Sequence, residues 1–349
     1  MPALAVAAAT RAARPEWEMV FAGAERGVEA DVLPRRGVPH RLFPFAPVYR
    51  RQWWRNVSWP VLAVRLIREV DAYLDSVRPA AVIGTGGYVS GPVVWRAAHR
   101  GIPTGILELD VRPGLATRLV ARSVREIWLA APEAQHALPG RTAERAVVTG
   151  APIVPPDPSR RDHALARFGL TPDRPVLVVT GGSQGSLAIN QRVAAWLNAG
   201  GGDGVQVIWA TGRATHAEFA SFHRPPAVTV TPFLDPMADA WAVADLCVAR
   251  AGMMTLAELS AWGIPAILIP LPTAAADHQT PNAEAHASAG AAIHLPQAHL
   301  TDALLAATLG DLLRDEPRRA AMAAAARRRS RPEAAAAIAA RVIALAESR

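Results

Sequence analysis

Two glycine-rich turns carry the first chemistry legible in the chain. Ala80-Ala-Val-Ile-Gly-Thr-Gly-Gly-Tyr-Val-Ser-Gly-Pro92 and Pro175-Val-Leu-Val-Val-Thr-Gly-Gly-Ser-Gln-Gly-Ser186 each pass from a short apolar strand through glycines into a helix. Such a turn bares backbone N–H groups beside the positive end of a helix dipole, which suits a phosphate. Neither is a P-loop, because no Gly-Lys-Ser/Thr follows, and neither places Gly-x-Gly-x-x-Gly as a dinucleotide site does. Tight strand-to-helix packing needs the same glycines, so one turn alone could serve packing. Two, one in each half of the chain, favour a phosphorylated ligand.

A third constellation is Arg250-Ala-Gly-Met-Met-Thr-Leu-Ala-Glu258. Ala251-Gly252 ends a strand and Met253 begins a helix, so Thr255 lies in the first turn, where its hydroxyl can meet a phosphate. Glu258 follows one turn later on the same face, where a carboxylate can take both hydroxyls of a ribose. The plain alternative is a surface glutamate. Asp277-His-Gln-Thr-Pro-Asn282 opens a further helix, and Gln279 and Asn282 beside the histidine suit sugar hydroxyls.

Elements that could hold these residues alternate at the spacing of parallel α/β units. Strands are expected near 18–22, 41–45, 80–84, 103–108, 126–130 and 146–149, then near 175–180, 205–210, 227–230, 245–249, 265–269 and 291–294. A length of 349 residues, at about 150 per domain, points to two domains. The boundary falls at Ala151-Pro-Ile-Val-Pro-Pro-Asp-Pro-Ser159, with four prolines. The expected organisation is a first domain over 1–150, a linker over 151–158, a second domain over 159–330 and a last helix over 331–349. Pro332 breaks the alanine-rich tail, and Ser330 with Glu333 reads as a capping box for that helix. Two doubly wound domains would place a ligand at facing strand carboxyl ends.

Composition narrows the class. Hydrophobic residues make up 51% and charged residues 19%, which excludes wholesale disorder. The net charge is +7 and every basic side chain except histidine is arginine, which fits nucleic acid, phosphorylated ligands or anionic lipid without choosing among them. Arg327-Arg-Arg-Ser-Arg331 reads as a solvated hinge between helices rather than a nucleic-acid patch. The lone Cys247, inside an apolar run, excludes a disulfide framework and a cysteine metal cluster and reads as an inert buried thiol. No apolar run reaches the ~18 residues that span a bilayer. Residues Met1 to Arg14 read as a helix of the fold rather than a targeting peptide.

The four motifs stand in one order at spacings that resemble the MurG family of N-acetylglucosaminyltransferases: the turn at 84–92, Gly181-Gly-Ser-Gln-Gly185 with Asn190-Gln191, Arg250 to Glu258, and Asp277 to Asn282. The likeness runs from Pro2 to about residue 300. It implies the GT-B fold, two Rossmann-like domains facing across a cleft, with the donor UDP-GlcNAc in the second and the acceptor, lipid I, mainly on the first. The product would be lipid II of peptidoglycan synthesis. On this resemblance Ser183, Gln184 and Gly185 match the donor-contacting turn, and Leu234 sits where a backbone group meets uracil. Met253, Met254 and Thr255 match the pyrophosphate turn, Glu258 the ribose ligand and Gln279 the GlcNAc ligand. Thr85, Gly86, Gly87 and Tyr88 would line the acceptor side. Other GT-B transferases, and an inactive protein that only binds UDP-sugar, are the alternatives.

The resemblance also implies an inverting reaction without metal or other cofactor. The acceptor 4-hydroxyl attacks the anomeric carbon in line, and helix N-termini meet the charge of the departing diphosphate. No Asp-x-Asp motif is present. The chain departs from the family at Leu107-Glu108-Leu109-Asp110, where the family has His-Glu-Gln-Asn, and at Gly150-Ala-Pro-Ile-Val154, where it has Gly-Asn-Pro-Val-Arg. It also begins at Met1-Pro2 where the family is entering its first helix, so the family's first strand and its Gly-Gly-Thr-Gly-Gly-His loop are not in it. The protein is therefore expected to begin about 10–20 residues earlier, since losing a strand leaves ladder groups unpaired. With the family's histidine gone, Glu108 and Asp110 are the candidate bases.

A lipid-linked acceptor requires contact with the cytoplasmic face of the plasma membrane, as a peripheral protein. In Arg50-Arg-Gln-Trp-Trp-Arg-Asn-Val-Ser-Trp59, Trp53 and Trp54 flanked by Arg50, Arg51 and Arg55 suit an anionic headgroup layer. Trp59, Leu62, Leu66 and Val70 instead follow the spacing of a core-facing helix.

Overall fold

Short apolar runs rich in valine, isoleucine and leucine, each separated by a helix-length stretch, build parallel sheets, and every strand ladder among the described residues is parallel. The computed structural model describes residues 2–44, 59–87 and 89–348. The chain forms two units, Met1–Pro152 with Glu333–Arg349, and Ile153–Pro332.

The first unit begins with α1 (Pro2–Ala13), β1 (Phe21–Ala24), α2 (Val28–Arg35), β2 (His40–Phe43) and α3 (Trp59–Val77). It continues with β3 (Val82–Gly84), α4 (Ser90–His99), β4 (Thr104–Glu108), α5 (Leu115–Val120), β5 (Glu126–Leu129) and β6 (Ala146–Val148). β1 pairs with β2 in one sheet, and β3-β4-β5-β6 form another. On α3 the one-turn spacing of Leu66, Val70 and Leu74 puts all three into a core with Phe43 and Val93. Each such aliphatic side chain contributes roughly 1.5–3 kcal/mol on burial.

The second unit carries α6 (Arg160–Phe168), β7 (Val176–Thr180), α7 (Leu187–Asn198), β8 (Gln206–Ala210), α8 (His216–Phe219), β9 (Val228–Thr231) and α9 (Met237–Val243). It then runs through β10 (Leu246–Ala249), α10 (Met253–Trp262), β11 (Ala266–Leu268), α11 (Gln279–Ser288), β12 (Ala292–His294), α12 (Asp302–Arg314) and α13 (Glu316–Arg329). Its sheet order is β12-β11-β10-β7-β8-β9, a doubly wound arrangement that reverses direction between β7 and β10. β7, β8 and β10 are buried throughout because helices cover both faces. Cys247 is fully buried in β10, and burial pushes its thiol pKa up, as an inert core thiol requires.

The tail differs from its sequence reading. Ser330 closes α13 instead of capping the next helix, and α14 (Ala334–Glu347) starts after Glu333 with no side-chain cap. The backbone of residues 331–333 turns before the helix begins, so hydroxyl and carboxylate are not set across a first turn. α14 belongs to the first unit. Its Ile338, Val342 and Leu345 pack with Val6 of α1, Leu107 and Trp128. Arg341 Nη1 donates to Glu126 Oε2 at 2.6 Å, and the indole of Trp128 donates to the same oxygen at 2.8 Å.

Candidate functional site

In a doubly wound sheet, ligands gather outside the carboxyl ends of the two strands where the order reverses. Here those strands are β7 and β10, whose last residues, Thr180 and Ala249, are ladder partners. β7 feeds the glycine turn 181–186 and then α7; β10 feeds Arg250-Ala251-Gly252 and then α10. The topology therefore brings two of the sequence motifs together, with a helix N-terminus behind each.

The turn after β7 is built closely. Thr180 Oγ1 accepts from Gly182 N at 3.1 Å, and Gly185 N donates to Gly182 O at 3.0 Å. Gly185 takes φ +74° against Gly212, and a Cβ there would stand 2.4 Å from the Thr211 carbonyl oxygen. Only glycine fits that position. Ser186 caps α7, its Oγ accepting from Ile189 N at 3.3 Å. Ser183 and Gln184 stand exposed at the apex, with Gly185 half-buried behind them. Asn190, part of the same motif, is fully buried. Its amide donates to Thr211 O at 2.7 Å and accepts from Trp209 Nε1 at 3.0 Å, so it braces the turn from below.

On α10, Met253 is buried and Met254, Thr255 and Glu258 are half-buried. Glu258 Oε2 accepts from the indole of Trp241 on α9 at 2.9 Å. Burial pushes the Glu258 carboxyl above the usual range, and the Trp241 hydrogen bond partly opposes that. Gln279 opens α11 with its Oε1 accepting from Leu271 N at 3.0 Å. Asn282, which the sequence reading groups with Gln279 for sugar hydroxyls, is fully buried and donates to Ala251 O at 3.3 Å. It holds the loop ahead of α10. Leu234 follows β9 with its side chain buried.

The first unit has a second turn of similar layout. Thr85, Gly86 and Gly87 follow β3, with both glycines exposed. Tyr88 lies outside the described residues, as do Arg50, Arg51, Trp53, Trp54 and Arg55. Glu29, in the first turn of α2, stands beside this turn: a Cβ on Gly87 would lie 3.2 Å from its Oε1. Glu108, at the end of β4, is buried, and burial raises its pKa. Its Oε1 accepts from Asp110 N at 3.0 Å and its Oε2 from Gly114 N at 2.9 Å. That carboxylate closes the β4–α5 connection around the half-buried Asp110.

Three contributors escape sequence reading. Arg250 heads a motif in the sequence, yet it is buried and bridges separate loops. Gln297 and Trp241 sit in no motif at all. An arginine closing an apolar strand run just before a glycine was the only available signal. Among the described residues no cluster of three or more histidine, cysteine, aspartate or glutamate side chains could hold a metal, and no helix is long and apolar enough to cross a membrane.

The chain is a glycosyltransferase. The glycosyltransferase family 28 N-terminal domain matches residues 1–128 and the family 28 C-terminal domain matches residues 176–338. The chain is 41% identical over 99% of its length, and 93% of the relative's, to the UDP-N-acetylglucosamine–N-acetylmuramyl-(pentapeptide) pyrophosphoryl-undecaprenol N-acetylglucosamine transferase of Salinibacter ruber. It is 37% identical to the enzyme of the same name from Moorella thermoacetica, over 99% of this chain and 96% of that one. The crystal structure of Acinetobacter baumannii MurG superposes with a TM-score of 0.77 at 25% identity, covering 98% of this chain and 95% of that one. The chain belongs to the MurG family.

Proposed function

We infer that the protein transfers N-acetylglucosamine from UDP-N-acetylglucosamine to lipid I, the undecaprenyl-diphospho-muramoyl-pentapeptide, and so forms lipid II. The observation that carries this reading is the switch point of the second unit, where the 181–186 turn and the Arg250–Gly252 turn leave neighbouring strands and the second leads into the helix that carries Glu258. Ser183, Gln184, Gly185, Met253, Met254 and Thr255 receive the diphosphate with N–H groups of two helix starts. Glu258 takes the ribose hydroxyls, the backbone at Leu234 takes uracil, and Gln279 takes the sugar. As the bond from anomeric carbon to diphosphate breaks, the charge on the leaving UDP is met by dipoles already in place.

The acceptor is held on the first unit at Thr85, Gly86, Gly87 and Tyr88. Its 4-hydroxyl attacks from the face opposite to UDP, which inverts the anomeric centre. Glu108 fixes the backbone of Asp110, and Asp110 is the proposed base. The reaction takes place at the cytoplasmic face of the plasma membrane with the enzyme bound peripherally. Arg50, Arg51, Trp53, Trp54 and Arg55 are proposed to contact the leaflet. Leu115 and Leu119 on α5, 59% and 68% exposed with Arg118 between them, add apolar and cationic groups of the kind an anionic leaflet takes up.

The test is a transfer assay with lipid I and a panel of UDP-sugars. UDP-N-acetylglucosamine should be the preferred donor and lipid II the product. Preference for another sugar would point to a different transferase, and UDP binding without transfer to any acceptor would make the chain a binding protein.

A further inference from the structure

Arg250 is a buried cation whose hydrogen-bond partners among the described residues are all neutral. It is 8% exposed. One terminal nitrogen, Nη1, donates to the carbonyl oxygens of Ile269 and Pro270 at 3.0 and 2.9 Å, just past β11. The other, Nη2, donates to Ser186 Oγ and Gln297 Oε1, both at 2.7 Å. No ion pair involves it among the described residues. Burying a charge without a counter-charge is costly unless its hydrogen bonds are made, and here four neutral acceptors make them.

The position of these partners matters. Ser186 is the cap of α7, the helix behind the 181–186 turn, while Arg250 itself lies two residues before Gly252, the N-cap of α10. One guanidinium thus ties the starts of both helices to a fixed strand end. A planar fork with donors on both nitrogens can do this; a lysine has the charge but not the geometry. Burial lowers the Arg250 pKa to about 10, so it remains cationic at neutral pH.

We propose that Arg250 is a positioning residue that gives the donor site its selectivity for the diphosphate, by clamping the cap of α7 beside the start of α10 and by leaving one positive charge uncompensated until the nucleotide arrives. This rests on the donor reading above. A ligand with two phosphates meets two helix starts held in register and a field that no carboxylate cancels. The nucleoside portion, held by Glu258 and the backbone at Leu234, does not depend on that clamp.

The test is the affinity of the full chain for UDP and for uridine, by calorimetry for UDP and by displacement for uridine. Arg250→Met should lower UDP affinity at least tenfold while uridine affinity stays within twofold. Equal losses for both ligands would mean that Arg250 merely supports the fold, and an unchanged UDP affinity would remove it from the site; either result overturns the proposal. Should Arg250→Met fail to fold, Ser186→Ala deletes the hydroxyl at the other end of the clamp. That variant should lose UDP affinity three- to tenfold with uridine unchanged, and no selective loss would again overturn the proposal. Glu258→Ala, in the same panel, should weaken UDP and uridine by the same factor. If Glu258→Ala changes neither while Arg250→Met is selective for UDP, the ribose assignment fails and the role of Arg250 stands. If the unaltered protein binds no UDP, the donor reading itself fails.

Discussion

The glycine turn after β3 and the glycine turn after β7 look alike in sequence and differ in how they are supported. After β7, Ser186 caps the following helix through its side chain, Gly185 is pressed against Gly212, Asn190 braces from beneath and Arg250 fastens the cap to a neighbouring strand end. After β3, α4 has Val89 at its N-cap and no side-chain cap, and the buried Ser90 hydroxyl has no hydrogen-bond partner among the described residues. The supporting strands differ as well. β7 lies inside a six-stranded sheet at its switch point, whereas among the described residues β3 ends a four-stranded sheet and β1 and β2 pair apart from it. A turn that binds a diphosphate before reaction gains from being built in advance, because N–H groups already aimed at the ligand need no reorganisation. The shared strand–glycine–helix layout specifies neither a brace nor its absence; distant residues do.

The largest expected break in that contrast comes from adding one methyl group to each turn. Gly185→Ala forces a Cβ to 2.4 Å from the Thr211 carbonyl oxygen at a positive φ. It should cost more than about 3 kcal/mol, lowering the melting temperature by about 6–12 °C. Gly86→Ala, also at positive φ but with nothing within 4 Å of the new Cβ, should cost only about 1 kcal/mol. Equal shifts in the two melts would show that the turns are equally braced. Next in size is Glu258→Ala, which removes the carboxylate proposed to accept from the ribose hydroxyls. It should cost roughly 1.5–3 kcal/mol, about ten- to a hundredfold in UDP affinity by calorimetry. An unchanged affinity would remove Glu258 from the site.

Each of these effects involves a residue with a local signal in the sequence and distant partners that leave none. The strands could be read because each is a short apolar run flanked by turn residues, and all twelve form near their expected places, although β1 begins at Phe21 rather than at 18. The glycine turns and the place of Glu258 on a helix after Gly252 could be read because turn chemistry and helical spacing are local. The Ser186–Arg250 and Trp241–Glu258 contacts could not, since they join residues 64 and 17 positions apart through crossovers that leave no periodic trace. Glu108 has partners of a kind that no motif shows. Its type suggested proton transfer, while the backbone donors of Asp110 and Gly114 that occupy both its oxygens are invisible in a string of side chains. Ser330 and Glu333 had the right types for a cap, and the path of the backbone between them decided otherwise.

A smaller effect sharpens the account of Glu258. Protonation removes its charge, so UDP affinity should fall as pH drops through its pKa. Burial raises that pKa, so the fall should begin above the range of an ordinary carboxylate, whose pKa is about 4.3. Trp241→Phe removes a hydrogen bond that favours the ionised form, so the fall should move to still higher pH. A profile that stays in place would show that Trp241 does not tune the carboxylate. The smallest effect expected is none: EDTA should leave UDP binding and transfer intact, and a loss restored by a divalent cation would overturn the metal-independent mechanism.

Hydrogen exchange of the full chain with and without UDP locates the donor most directly. The account predicts slower exchange over 181–187 and 250–258 and little change over 84–90. Protection confined to 84–90, with the second-unit turns unaffected, would contradict it.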